Sequence, residues 1–142
     1  MTKKQKAYAR AGVDVDLGNK LKRGIQSLVR QTHGPQVLGG IGGFGGLFRA
    51  NFPAMREPVL VASIDGVGTK LKIAFAVNKH DTVGADLVNH CVNDIAVLGA
   101  RPLFFLDYIG CGKLEPRVFQ QLLRGFSRAC RSARCEIGRA HV

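Results

Sequence analysis

The sequence predicts a domain that mixes helices with strands, and three observations carry that reading. Two apolar runs rich in β-branched or aromatic residues, at 60–64 and 103–109, have the length and composition of buried strands. Around them, residues 14–32, 81–98 and a stretch opened by Glu115 and Pro116 repeat apolar side chains at helical spacing. With 142 residues and 46% hydrophobic content, the chain is long enough to bury one substantial core, as one domain or as a piece of a larger protein.

In chain order, residues 1–10 are polar, basic and expected to be loose. Residues 14–32 then set Leu17, Leu21, Ile25, Leu28 and Val29 on one helical stripe, with Asp14 or Asp16 as the cap and Gly34 and Pro35 as the stop. Lys20, Lys22, Arg23 and Arg30 read mostly as a solvated face. The segment 39–46 contains G-x-G-x-x-G as Gly40, Gly42 and Gly45, with Gly43 between them. A dinucleotide fingerprint needs a strand before these glycines and a helix after them. Pro53 and Pro58 leave no room for that helix, so the segment reads as a glycine-rich flap over a ligand, with a flexible linker as the competing reading.

The next stretch carries the densest chemistry. The apolar run 60–64 empties into Asp65, Gly66, Gly68, Thr69 and Lys70. Asp65 can hold a hard cation, the two glycine amides can approach an anion without a Cβ in the way, Thr69 offers a hydroxyl and Lys70 a positive charge. A tight turn ending in a solvated lysine is the alternative. Residues 71–77 fit either a strand or a helix. Residues 81–98 form a helix with Leu87, Val88, Cys91, Val92, Ile95 and Leu98 inward, capped by Asp81 and stopped by Gly99 and Pro102. Its other face gathers Asp86, Asn89, His90 and Asn93, with Asp94 at the border and no lysine or glutamate among them, which favours a metal or ligand face over a solvated one. His90 by itself assigns nothing.

The second strand, 103–109, is interrupted by Asp107, an acid that must be paired, hydrogen-bonded or open to a ligand. Glu115 and Pro116 then start a helix with Phe119, Leu122, Leu123, Phe126, Cys130 and Ala133 inward and Arg117, Arg124, Arg128 and Arg131 outward. That arginine stripe and the net charge of +11 are the case for nucleic acid. Low aromatic content without tryptophan argues against a single-strand binder, and the stripe reads as an ordinary outer helix face. Cys91, Cys111, Cys130 and Cys135 form no C-x-x-C pair and are expected to be reduced thiols. No run of 18 apolar residues occurs and Met1 is not followed by an apolar h-region, so the expectation is a cytoplasmic protein with neither nucleic-acid nor membrane partners.

Several motifs stand together in a recognisable order: residues 11–16 with Gly18 and Asn19, the glycine segment 39–46, residues 65–70, 80–84 and 91–94, and 99–108 with Gly112, Lys113 and Leu114. From Tyr8 to Cys135 the chain closely resembles the phosphoribosylformylglycinamidine cyclo-ligase family, the aminoimidazole ribonucleotide synthetases. The resemblance implies an α+β amino-terminal ATP-binding domain, with a mixed sheet and helices on one face, whose sheet pairs with a second subunit to form a homodimer. It implies a purine-biosynthesis ligase in which ATP phosphorylates the amide oxygen of formylglycinamidine ribonucleotide and an internal nitrogen displaces phosphate. Carried over by motif, Asp65 and Asp94 would serve Mg2+ and the triphosphate, with Lys70 completing the catalytic set. Gly40, Gly42, Gly43, Gly45, Gly66, Gly68, Thr69, Lys70 and Asn93 would contact ATP. Other ATP-using enzymes of the same general fold are the closer alternative, and a basic nucleic-acid module the more distant one.

The family pattern also continues beyond this sequence, so the chain is expected to be a truncated fragment of a two-domain enzyme, inactive alone. Residues 1–135 form the incomplete synthetase domain. Residues 136–142 fit no family pattern and resemble a translated adapter, so they are expected to stand outside the fold.

Overall fold

The computed structural model of the chain describes residues 15–39 and 46–139, which form four helices and two strands. Gly40, Gly42, Gly43 and Gly45, together with Asp14, lie outside the described residues. Helix α1, Val15–Arg30, follows its sequence stripe: Leu21, Ile25 and Val29 are buried and Leu17 packs partly against them. Asp16 sits within the first turn, where a carboxylate favours the positive end of the helix. Helix α2, Lys70–Val77, decides the ambiguous stretch in favour of a helix, and it ends on Asn78 in the left-handed conformation.

Helix α3, Asp81–Ala96, starts one residue later than its cap, which is His80 rather than the expected Asp81. The buried His80 donates its backbone N–H to Gln121 Oε1 at 2.8 Å, tying the start of α3 to helix α4, Pro116–Ala133. Val88 is fully buried and Leu87, Cys91 and Val92 are partly so, but Leu98 is 70% exposed beyond the helix end and does not face inward as its spacing suggested. Pro116 opens α4 at its first turn, and Phe119, Leu123, Phe126 and Cys130 enter the core as read from the sequence. Where α3 meets α4 the backbones touch: a Cβ on Gly125 would strike Asp81 O and Ala85 N of α3. Only glycine permits that approach.

The sheet is small. Strand β1, Phe104–Leu106, pairs in parallel with strand β2, Glu136–Arg139, and α4 is the crossover between them. Phe105 and Ile137 lie opposite each other and are buried, with the Phe105 ring 5.6 Å from that of Phe126 on α4, so the helices cover this face. Phe104 and Leu106 point the other way and are exposed, which makes β1 a half-buried strand and not the fully buried one expected. The α+β class holds, but the sheet among the described residues is two parallel strands rather than a mixed sheet. An isolated antiparallel bridge joins Val37 to Phe48.

Two expectations are corrected. The run 60–64 is not a strand: among the described residues nothing pairs with its backbone, and Val59, Leu60 and Ile64 stand exposed. A strand needs a neighbour to satisfy its backbone groups, and among the described residues none lies alongside. Conversely, the residues set apart from the fold as a tail supply β2. Ile137 N–H donates to Thr32 Oγ1 at 3.0 Å, His33 Nε2 lies 2.8 Å from Ile137 O, and Gly34 N–H donates to Glu136 Oε1 at 2.8 Å. The apolar side chain of Ile137 and this hydrogen-bonded clasp are reason enough for the segment to join the core.

Candidate functional site

The segment that precedes α2 runs beside α3 and is pinned there by polar side chains. Ser63 Oγ donates to Asp94 Oδ2 at 2.9 Å, and His90 Nε2 lies 2.9 Å from Asp65 Oδ2. His90 and Asp94 are one helical turn apart on α3, with Asp86 a turn before His90, so all three share a face. One ligand atom from each of Asp65, His90 and Asp94 lies within 4.8 Å of the other two. Two carboxylates and an imidazole at that spread can converge on one divalent cation, whose bonds to such ligands are about 2.0–2.6 Å long. The side chains of His90 and Asp65 are 47% and 42% exposed, leaving coordination positions open toward solvent.

The neighbouring loop delivers the phosphate-type groups less directly than its sequence suggested. Gly66 N–H donates to the carboxylate of Asp65 itself, at 2.6 Å, and does not point outward toward an anion. Gly68 takes φ +70°, a left-handed turn that leads the chain into α2. Thr69 occupies the cap of α2 without using its hydroxyl to close the helix, and Lys70 begins the helix. The exposed Lys70 ammonium pairs with Asp86 on α3 rather than with Asp65 or Asp94. Asn93 is exposed, one residue before Asp94. Burial pushes the Cys91 thiol above its ordinary value, and the charges of Asp65 and Asp94 add to that against a hydrogen bond from the Asp65 backbone. The structure brings Asp65 and Asp94 close together and sets His90 beside them, a residue that the sequence places on the same helix face as Asp86 and Asn93 without a role. The signal was its four-residue spacing to Asp94.

The whole of this geometry falls within the 52–142 span matched by the family described as AIR synthase related protein, N-terminal domain. The chain belongs to this family. As a member of the AIR synthase related N-terminal domains, it is 55% identical over 130 residues to the phosphoribosylformylglycinamidine cyclo-ligase of Anaeromyxobacter sp. (strain Fw109-5), covering 92% of this chain and 38% of that protein. It is 52% identical over 137 residues to the cyclo-ligase of Trichlorobacter lovleyi, covering 96% and 39%. With the enzyme of that name in Nitratidesulfovibrio vulgaris it shares 55% identity over 134 residues, 94% and 38% of the two chains. The resemblance read from the motifs thus holds, and the chain spans about two-fifths of the length of these relatives. Among the described residues no helix is long and apolar enough to cross a membrane.

Proposed function

We propose that the chain is the nucleotide-handling part of a phosphoribosylformylglycinamidine cyclo-ligase, which closes the imidazole ring of aminoimidazole ribonucleotide at the expense of ATP, releasing ADP and phosphate. The observation that carries this reading is the convergence of Asp65 and Asp94, from two separate segments, on the face of α3 whose Asp86 pairs with Lys70. Phosphoryl transfer asks a protein mainly for positioning and for neutralisation of charge, and these are the groups that provide both.

In this reading Asp65 and Asp94 hold Mg2+, which when bound offsets the charge of the triphosphate. Thr69 donates its hydroxyl to a phosphate oxygen at the α2 amino terminus, where the helix favours an anion. Lys70 exchanges Asp86 for phosphate. Gly66, Gly68 and Asn93 line the approach, and the flap with Gly40, Gly42, Gly43 and Gly45 covers the nucleotide. The amide oxygen of the substrate takes the phosphoryl group, and its internal nitrogen then expels phosphate. The enzyme works in the cytoplasm as a homodimer joined through the sheet side of this domain. The arginine stripe of α4 lends the nucleic-acid alternative little support, since Arg131 bonds Gln31 at 3.1 Å and Arg128 pairs with Asp81 at 3.4 Å within the chain.

The test is steady-state ADP release that depends on formylglycinamidine ribonucleotide, in the complete synthetase that contains this chain, with Mg2+ titrated. Asp65→Asn and Asp94→Asn should each lower turnover by about 10²–10³-fold, the size of effect seen when one preorganised electrostatic contact is removed. Arg124→Gln should leave it nearly intact. Wild-type rates and Mg2+ dependence in both aspartate variants would sink the assignment.

A further inference from the structure

We propose that His90 is a third metal ligand at this site, and that its imidazole shifts the preferred ion from Mg2+ toward Mn2+. The inference rests on the reading of Asp65 and Asp94 as metal ligands and adds to it a residue and a selectivity. His90 Nε2, Asp65 Oδ2 and a carboxylate oxygen of Asp94 converge from a loop and a helix. Two carboxylates would balance the charge of one divalent ion, and a neutral imidazole adds a donor without adding charge.

Ligand chemistry then separates the ions. Mg2+ takes oxygen ligands in a tight octahedron and gains little from nitrogen, whereas first-row transition ions accept imidazole readily and carboxylate as well. Mn2+ is the member of that series that also suits the remaining oxygen positions. Zn2+ would bind more tightly still, but it favours four ligands and would leave fewer positions for phosphate oxygens.

A purely electrostatic role for His90 makes the opposite prediction. If the imidazole served only as a cationic partner of Asp65, it would compete with any metal, and its removal would tighten Mg2+ and Mn2+ alike. If it is a ligand, its removal weakens Mn2+ and leaves Mg2+ where it was. The sign of one measurement therefore discriminates.

The experiment titrates Mn2+ into the 142-residue chain, following free Mn2+ by electron paramagnetic resonance, with Mg2+ affinity taken from competition. Mn2+ should bind the wild-type chain at least about tenfold more tightly than Mg2+. Pulsed measurements on the Mn2+ complex should show the coupling of a directly bonded nitrogen, a signature that requires no variant. His90→Asn should erase that coupling and weaken Mn2+ by at least about tenfold, the lower bound for losing even an outer partner of a metal site. Mg2+ affinity should stay unchanged. His90 is exposed enough that circular dichroism should report an unaltered fold, and His90→Gln serves as a second variant. Absence of nitrogen coupling, or tighter binding of both ions to His90→Asn, overturns the proposal. Asp65→Asn keeps the two readings apart: if it weakens both ions while His90→Asn weakens neither, the metal site stands and the role of His90 falls. If the wild-type chain binds neither ion, both fall together.

Discussion

Lys70 and Asp86 hold each other across an exposed gap between α2 and α3, so the lysine is aimed along the polar face of α3 before any phosphate arrives. Exposed pairs of this kind contribute little to stability, so Asp86→Asn should shift the urea unfolding free energy by less than about 1 kcal/mol. Lys70→Gln should be equally mild for folding but, on the proposed role of Lys70 at the triphosphate, should weaken ATP at least about tenfold by calorimetry, the loss of one hydrogen bond to a charged group. The cysteines separate just as sharply. Cys111 is exposed, while Cys130 is buried and its thiol is pushed up by a shared hydrogen bond with Cys135 and by burial. The raised value leaves almost no thiolate on Cys130 as pH rises through the ordinary thiol range near about 8.5. At pH 9, iodoacetamide followed by mass spectrometry should therefore mark Cys111 and leave Cys130 unmodified until the chain is unfolded.

At the scale of elements, the crossing of α3 and α4 sets the tightest constraint. Gly125→Ala forces a methyl group into the α3 backbone, and overpacking of that kind costs about 1–3 kcal/mol. Gly24 on α1 has open space where its Cβ would be, so Gly24→Ala should instead stabilise by about 0.5–1 kcal/mol. Urea titrations of the two variants should move in opposite directions, and a shared direction would contradict the packing described here. Helices α1, α3 and α4 were legible because each buries its own stripe, a property the spacing of Leu21, Ile25, Phe119 or Leu123 displays locally. The run 60–64 misled because β-branched composition announces an apolar contact without saying which chain supplies it. The contribution of Glu136–Arg139 was missed for the complementary reason, that its partners Thr32, His33 and Gly34 lie about a hundred residues away. The nearness of Asp65 to Asp94 agrees with what the resemblance of the motifs implies. Lys70 reaching Asp86 depends on the start and direction of α2, which its apolar composition leaves open between strand and helix.

At the scale of the molecule, the described surface carries many large apolar side chains. Val59, Leu60 and Ile64 join Ile73, Phe75 and Val77 of α2, and Val97, Leu98, Leu106 and Tyr108, as large exposed apolar side chains. Exposed hydrocarbon in this quantity favours association. The chain should therefore self-associate, and sedimentation velocity at micromolar concentration should find dimers or larger species. Replacing Val59 and Ile64 together by lysine should raise the monomer fraction while leaving the unfolding midpoint unchanged, because neither side chain contributes to the core. A wild-type chain that sediments as a monomer and binds no hydrophobic dye would refute this. The clasp between the exit of α1 and β2 has a further consequence for the chain as it is made. Thr32 and His33 leave the ribosome early, yet their hydrogen-bond partner Ile137 is translated more than a hundred codons later. Until then α1 has only its bonds to α4, Ser127 Oγ donating to Leu28 O at 3.0 Å and Arg131 to Gln31 at 3.1 Å, and the Thr32 and His33 side chains lack their β2 partner, because closing so long a loop is slow. Nascent chains stalled at Cys135 should expose the peptide bonds around Thr32 to a brief protease pulse, and chains released after Arg139 should conceal them.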